Sequence, residues 1–259
     1  MIIDTHIHLD DRRYAEDLEE VLLRAKSAGV THYIIPGADP ATLERAVMLS
    51  ERYDGIYFAV GVHPYDMNAY ETLDFTRYVN HPKCVAIGEC GLDYYRLEGS
   101  DAQKAAEKER QQEIFKAQIA IAKKYKKPLI VHIRDASSDA KTILLEQEAE
   151  RVGGVLHCFN ADEQLLMLAQ KNFYFGIGGV VTFKNAKKLL QILPKIPHER
   201  LLIETDGPYL TPDPHRGTRN EPAYCKLVVA KIAQILQLSQ EAVEHLSTGN
   251  AKGLFAFSS

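Results

Sequence analysis

The chain has 259 residues, enough to bury a sizeable core, and 46% of them are hydrophobic while 25% are charged, as in ordinary soluble globular proteins. A formal net charge of -4 excludes a surface broadly coated with basic residues, so any nucleic acid would have to be attracted by local groups or metal ions. Four cysteines without a Cys-x-x-Cys pair and an N-terminus without a signal-peptide pattern favour a cytoplasmic protein, and no apolar run reaches the roughly 20 residues of a membrane span.

Short apolar runs rich in β-branched residues alternate with longer amphipathic stretches from one end of the chain to the other. The amphipathic stretches, such as residues 15–29 and 113–127, carry apolar residues at helical spacing. The runs predicted as strands are MIIDT (1–5), THYIIP (31–36), IYFAVG (56–61), CVAIGE (84–89), PLIVHI (128–133), GVLHCF (154–159), FYFGIG (173–178) and RLLIET (200–205).

Eight strand–helix units without a composition break or a flexible linker predict an α/β fold, a single (β/α)8 TIM barrel spanning residues 1–259. The competing architecture is an open, doubly wound sheet. Such a sheet often carries a G-x-G-x-x-G motif after its first strand, and no such motif is present there. The nearest glycine cluster, FGIGGV (175–180), comes late in the chain. The barrel is therefore the favoured prediction.

Residues that can bind metal ions end or follow six of the predicted strands: His6, His8, His63, Glu89, His132, His157 and Asp206. In a (β/α)8 barrel the carboxyl ends of all strands share one mouth, so these side chains should converge there. Positions two apart on a strand face the same way, which makes the DTHIHL motif a chelating arrangement. Imidazoles and carboxylates gathered in one cavity need cations to satisfy them, so we predict a metal centre at the C-terminal mouth.

Six ligands exceed the three of a typical catalytic zinc site and suit two divalent ions about 3.5–4 Å apart. Glu89 is the predicted bridge between the ions. One ion would bind His6, His8 and Asp206, and the other would bind His132 and His157. Imidazole-rich ligation favours zinc, nickel, cobalt or manganese, whereas magnesium prefers oxygen ligands, so the identity of the ions stays open among these five.

The motifs DTHIHLD, GVHP, AIGECGLDYY, VHIRD, LHCF, IETDGPYL and RNEP together closely resemble the TatD family of metal-dependent deoxyribonucleases, which belong to the amidohydrolase-like barrels. They extend from residue 4 to residue 222. The resemblance implies ligand roles for His6, His8, Glu89, His132, His157 and Asp206. It also implies that the substrate is DNA, cleaved at phosphodiester bonds from its ends by a metal-activated water. Single strands or ends suit the acidic composition better than long duplex, and no obligate protein partner is predicted.

Three residues are predicted to act in catalysis beside the metal ions. Asp206 would accept the proton of the attacking water. Glu204 lies two residues before it on the strand, faces the same interior and would orient a ligand histidine, with a structural ion pair as the alternative. His63 is placed to contact a phosphate or the leaving group, and the alternative for it is a capping or packing role.

The predicted substrate contacts are Arg134, two residues beyond His132, and Arg219, Asn220 and Glu221 in the long loop 207–222. Tyrosines near the mouth could stack on bases, and these are Tyr65, Tyr94, Tyr95 and Tyr209.

Two other functions remain open from the sequence. The same centre could hydrolyse an ester or amide bond, as in a D-aminoacyl-tRNA deacylase. A binding protein that keeps the fold and uses metals structurally is the third possibility, and it would have a crowded site without an open water position.

Overall fold

Eight strands form one parallel sheet in which each strand pairs with the next one along the chain. The computed structural model describes residues 1–257. The strands are β1 (Ile2–Asp4), β2 (Val30–Ile35), β3 (Ile56–Val60), β4 (Cys84–Asp93), β5 (Leu129–Arg134), β6 (Gly154–Leu156), β7 (Phe173–Ile177) and β8 (Leu201–Ile203). The predicted (β/α)8 barrel is confirmed, with all eight strands in the predicted order.

The segments after β1 and β8 close the barrel. The backbone N–H of Thr5 donates to the carbonyl of Ile203 at 3.1 Å, and Ile7 forms a parallel bridge with Gly207. Closure brings the two ends of the sheet together at the same mouth. Residues more than 190 positions apart in the sequence therefore become neighbours there.

Helices cover the outside of the sheet and connect its strands. The α-helices are α1 (Leu18–Ser27), α2 (Leu43–Arg52), α3 (Thr76–Val79), α4 (Asp101–Tyr125), α5 (Ser137–Glu146), α6 (Lys187–Ile192), α7 (Cys225–Leu236) and α8 (Gln240–Leu254). Between β6 and β7 the connection is a 3-10 helix, Glu163–Lys171, in place of a longer α-helix. In residues 1–257 none of the helices has the length and apolar character needed to cross a membrane.

The period-two alternation of the strands decides which side chains enter the barrel. Ile130 and Val155 belong to the buried cluster of apolar side chains inside the barrel. His132 and His157 each lie two residues further along the chain than these apolar residues. In the same way, Glu204 lies two residues after Leu202, which is inside the barrel. Apolar residues thus fill the barrel interior, and polar residues replace them near the mouth.

Three strands end two or more residues away from the predicted position, and the other strand boundaries agree within one residue. β6 and β8 stop after three residues, and the backbone then turns through left-handed conformations at Cys158 (φ 44°) and Asp206 (φ 57°). β4 instead continues to Asp93, because it keeps pairing with β5 through Gly91 and His132. Glu89 therefore lies within β4 and not at its end.

The pairing of β4 with β5 generates a stability prediction. Gly91 has φ 139°, and a Cβ atom there would lie 2.0 Å from the carbonyl oxygen of His132. We expect Gly91→Ala to lower the free energy of unfolding by roughly 1–3 kcal/mol, measured by urea denaturation. The control is Gly249→Ala within α8, where a Cβ meets nothing within 4 Å and should stabilise by about 0.5–1 kcal/mol. Equal stability of both variants would contradict the close approach at Gly91.

Candidate metal centre

His6 and His8 lie directly after β1, where backbone hydrogen bonds hold them against the segment after β8. The N–H of Asp206 donates to the carbonyl of His6 at 2.9 Å, and the N–H of His8 donates to the carbonyl of Gly207 at 2.8 Å. The Asp206 Oδ1 atom consequently lies 3.6 Å from His6 Nε2 and 3.5 Å from His8 Nε2. The closure of the barrel thus assembles two imidazoles and a carboxylate as one group of possible ligands.

Glu89 occupies the centre of the site and contacts histidines with both carboxylate oxygens. Its Oε2 atom lies 3.4 Å from His6 Nε2. Its Oε1 atom lies 3.0 Å from His157 Nε2, 3.1 Å from His132 Nδ1 and 3.5 Å from His63 Nε2. A carboxylate whose two oxygens face different groups of imidazoles has the geometry of a bridge between two cations.

The protonation states of Glu89 and His6 suit metal binding. Burial alone would raise the pKa of Glu89, but the imidazoles of His157, His6 and His63 hold that pKa well below its ordinary value. Burial lowers the pKa of His6 to about 4, so this imidazole is neutral at pH 7. An ionised carboxylate beside a neutral imidazole is the form in which both side chains bind metals.

The ring nitrogens of His6 test whether the site fits a metal ion. The side chain is fully buried, and neither Nδ1 nor Nε2 forms a hydrogen bond with any group in residues 1–257. Buried polar atoms are almost always satisfied, because leaving one without a partner costs roughly 1–3 kcal/mol. A cation bound by His6 together with its neighbouring carboxylates would satisfy one of these nitrogens.

Asp93 holds His132 in position, a role that the sequence reading missed. Its Oδ2 atom lies 2.9 Å from His132 Nε2, and Oδ1 accepts the N–H of Tyr95. Burial alone would lower the pKa of His132, but Asp93 and Glu89 raise it to about 9. The contact leaves Nδ1 of His132 facing Glu89. The spacing of four residues between Glu89 and Asp93 was the available signal, because both side chains fall on one face of β4.

Glu204 lies behind His157, but the two side chains form no hydrogen bond within residues 1–257, so an orienting role for Glu204 stays a prediction. Its Oε1 atom accepts the N–H of Cys158 at 2.5 Å and lies 3.8 Å from His157 Nδ1. The side chain is fully buried, and burial raises its pKa to about 8. The ring of His157 is stacked on that of His6 with centroids 3.8 Å apart. Glu204 therefore reaches the site through a histidine and has no direct access to the mouth.

Three groups of side chains have ligand atoms within 4.8 Å of one another, and they are His6 with His8 and Asp206, His6 with Glu89 and His157, and His63 with Glu89 and His132. His6 belongs to the first two groups and Glu89 to the last two, so the three groups form one centre. His132 Nδ1 lies 3.3 Å from His157 Nε2, and both nitrogens face Oε1 of Glu89, so the prediction that these two histidines bind the same ion stands as a prediction. The third group also adds His63, which is predicted to contact substrate.

The hydrogen bonds of His63 favour a donor role over metal ligation. Its Nδ1 atom accepts the backbone N–H of Tyr65 and caps the short helix Pro64–Ala69. Burial lowers the pKa of His63 to about 3, so the ring is neutral. A neutral imidazole that accepts at Nδ1 carries its proton on Nε2, which then points toward Glu89 as a donor. Capping and a contact to substrate are thus compatible for this residue.

Exposed tyrosines lie beside the site residues, and each has an arginine over its ring. Tyr65 lies 4.9 Å from the His63 ring, Tyr209 lies 5.9 Å from the His8 ring, and Tyr95 donates its N–H to Asp93. The arginine carbons lie 3.7–5.3 Å from the ring centroids in the pairs Tyr65–Arg96, Tyr95–Arg134 and Tyr209–Arg13. Tyr94 differs, because it is partly buried and donates its hydroxyl to Asp139. The structure thus places Arg134 at the exposed rim, and its contact with substrate stays a prediction.

The predicted substrate contacts in the loop 207–222 are corrected by the structure. Arg219 forms a bidentate ion pair with Asp17 at 2.8 and 2.6 Å. Glu221 pairs with Arg24 at 2.8 Å. Arg24 lies within α1, and Asp17 is the N-cap residue of that helix. Asn220 is fully buried and donates to two backbone carbonyls. These three residues fasten the loop to the barrel wall, so their polar groups are already engaged and do not face the site.

Comparison with known proteins agrees with this geometry. A family model described as TatD related DNase matches residues 3–256. The chain is 46% identical over 259 residues to an uncharacterized metal-dependent hydrolase of Bacillus subtilis, covering 98% of this chain and 99% of that protein. It is 33% identical over 267 residues to a protein of Escherichia fergusonii named 3'-5' ssDNA/RNA exonuclease TatD, covering 99% of this chain and 100% of that protein.

A solved structure of a TatD homologue from Escherichia coli K12 has a TM-score of 0.87 and 30% identity, and the match covers 99% of this chain and 98% of that one. A TatD family hydrolase from Entamoeba histolytica has a TM-score of 0.84 at 25% identity, with 99% and 98% coverage.

The central position of Glu89 generates a prediction about metal content. Glu89→Gln replaces two charged ligand oxygens by one neutral oxygen, so we expect metal affinity to fall by more than about 100-fold, beyond the loss typical of an outer-shell change. The measurement is elemental analysis of the purified protein after dialysis. Glu51→Gln is the matched control, because Glu51 pairs with His81 at 3.3 Å on the surface. Two full metal equivalents in Glu89→Gln would contradict the bridging position.

Proposed function

Because the chain belongs to the TatD-related DNase family of metal-dependent hydrolases, we propose that it cleaves phosphodiester bonds at the ends of single-stranded DNA. Membership of the family and a relative named as an exonuclease establish a hydrolase acting on ester bonds. The name of that relative, a single-strand exonuclease, supports the more specific proposal. The observation in this chain that carries the proposal is the rim of tyrosine–arginine pairs beside the buried centre.

The rim fits single-stranded nucleic acid for physical reasons. Aromatic faces stack on bases of any sequence, and arginines supply positive charge to a phosphate backbone. The tyrosines at positions 65, 95 and 209 are 44%, 58% and 48% exposed. A chain with a net charge of -4 would attract a polyanion through such local groups and not through its overall field. Short single-stranded ends at the mouth suit this distribution of charge.

We propose that the six predicted ligands hold two divalent ions, each being magnesium, manganese, zinc, nickel or cobalt. Such ions lower the pKa of a bound water and neutralise charge on phosphate oxygens. Glu89 would face both ions, with His6, His8 and Asp206 on one side. His157 and His132 would complete the other side, with Asp93 fixing the ring of His132. Binding an ion would satisfy one of the two unpaired ring nitrogens of His6.

The remaining catalytic roles follow from protonation states. Burial alone would raise the pKa of Asp206, but its contact with His8 and the charge of His157 lower it, so the carboxylate is ionised and can accept a proton from the attacking water. His63 would donate from Nε2 to a phosphate oxygen or to the leaving group. Glu204 would keep His157 oriented and would not touch the substrate.

We also propose that the protein works in a reducing compartment, the cytoplasm. Cys84, Cys90, Cys158 and Cys225 are all free thiols, and three of them are buried. Free thiols of this kind are usual for cytoplasmic proteins.

The direct test of the proposed function is metal-dependent turnover. The metal-free protein should regain cleavage of end-labelled single-stranded DNA when one of the five ions is added, and duplex DNA of the same sequence should be cleaved more slowly. A D-aminoacyl-tRNA is tested in parallel. Hydrolysis of the aminoacyl ester without cleavage of any oligonucleotide would overturn the nuclease proposal in favour of a deacylase.

Asp206→Asn separates metal ligation from proton transfer. Asparagine still offers an oxygen to a cation but cannot accept a proton, so we expect kcat to fall by about 100-fold to 10,000-fold at saturating metal, with a near-native thermal melt. The control is Asp54→Asn, an exposed carboxylate in a surface turn. A reduction of less than tenfold with an unchanged melt would remove Asp206 from the reaction.

Arg134→Ala tests the rim. Arg134 is exposed, and its guanidinium lies 3.7 Å from the Tyr95 ring centroid, where it can face a phosphate. We expect KM for oligonucleotides to rise and the slope of log affinity against log salt to become shallower by about 1, while metal content stays the same. Arg151→Ala, another exposed arginine, is the control. An unchanged KM at several salt concentrations would show that Arg134 is only a solvated surface residue.

A further inference from the structure

A cavity of about 280 Å³ lies between the segments that follow β6 and β7. Most of its side chains are apolar, and those of Phe159, Ala161, Ile177, Val180, Ala186 and Leu189 form its walls. No proposed ligand of the metal centre lines it. We call this cavity the base pocket.

The base pocket shares backbone with the metal centre. Cys158 lines the pocket and directly follows His157 in the chain. Gly176 lines it from β7, and a Cβ atom there would lie 2.1 Å from Glu204 Oε2, so this wall is built directly against the residue behind His157. A group bound in the base pocket would therefore be held beside the proposed ligands.

We propose that the base pocket binds the nucleobase of the terminal nucleotide whose phosphodiester bond is cleaved, an inference that rests on the proposed function. The volume lies just below the range of about 300–1,000 Å³ found for drug-sized ligands, which suits one ring system and excludes a whole nucleotide. A base has apolar faces and polar edges. Apolar walls with a few polar groups at the rim are complementary to it.

Two amides supply the polar groups that a base edge requires. The side chain of Asn185 is exposed at the base pocket and forms no hydrogen bond within the part of the chain that the structure describes. Asn160 donates from Nδ2 to Ser137 Oγ at 3.0 Å and keeps a second N–H on the same nitrogen. An amide can both donate and accept, so these residues can pair with bases of different kinds.

The charged residue that lines the base pocket favours a nucleotide over an aminoacyl group. Among residues 1–257 this residue is Lys188 alone, and its ammonium attracts a phosphate and repels the ammonium of an aminoacyl ester. An adjoining polar groove of about 400 Å³ shares Asn160 and Lys188 with the pocket and extends to Arg134. The carboxylates of Asp135 and Asp162 line that groove and not the pocket itself.

The test fills the base pocket and compares substrates with and without a base. We expect Val180→Phe to lower kcat/KM for the p-nitrophenyl ester of thymidine 5'-monophosphate by about tenfold or more. Hydrolysis of bis(p-nitrophenyl) phosphate, which has no base, should change less than twofold. Val180→Ala keeps the pocket open and should retain activity on both substrates. Leu23→Phe, on the exposed face of α1, is the matched control for an added aromatic ring.

Binding to the metal-free protein gives a second readout that does not depend on turnover. Saturation-transfer NMR should detect deoxyadenosine on the wild type and on Leu23→Phe, and the signal should be lost in Val180→Phe. Ala186→Phe fills the same pocket from another wall and should also lose the deoxyadenosine signal. Agreement between the two variants would show that the loss comes from filling the pocket and not from misfolding around one position. Thermal melts identify any variant that fails to fold.

The outcomes separate the two proposals. The base-pocket proposal would be overturned if Val180→Phe lowered kcat/KM equally for both diesters. It would also be overturned if Val180→Phe kept the wild-type preference for the nucleotide and still bound deoxyadenosine. If the wild type hydrolyses neither diester with any of the five ions, the proposed function fails. The NMR result then decides the pocket by itself. If Val180→Phe slowed hydrolysis of an aminoacyl ester but not of the nucleotide diester, the pocket would instead bind an aminoacyl side chain.

Discussion

A buried carboxylate among imidazoles is the interaction on which the site depends. Glu89 is 3% exposed, and its two oxygens lie 3.0–3.5 Å from four histidines. A buried charge must be paired or must coordinate a metal, and the four histidines around Glu89 come from four different positions of the barrel wall. The closed sheet, the hydrogen bonds between the segments after β1 and β8, and the contact of Asp93 with His132 all hold this arrangement.

Much of this could be predicted from the sequence because two regularities are local. Strand alternation places His132 two residues beyond the buried Ile130, and parallel strands of a barrel deliver their last residues to one mouth. Those rules identify the eight strands and bring Glu89 and Asp206 to the same cavity. The TatD resemblance of the motifs then narrows the chemistry.

The remaining features depend on contacts between distant residues, which no local pattern reveals. Arg219 looks like a substrate contact until Asp17, 202 residues away, is seen to neutralise it. The Tyr95–Arg134 pair likewise joins the loop after β4 to the last residue of β5, so a chain without a basic stripe still presents cations at its mouth. His63 is ambiguous in sequence because its role depends on which ring nitrogen accepts the N–H of Tyr65.

The central claim is that the histidine and carboxylate cluster binds two cations around Glu89. Crystals grown with manganese and measured for anomalous scattering test it most directly, because the ions are located without reference to activity. We expect two peaks about 3.5–4 Å apart on either side of the Glu89 carboxylate, one of them between His6, His8 and Asp206. A single peak, or peaks that do not contact Glu89, would contradict it.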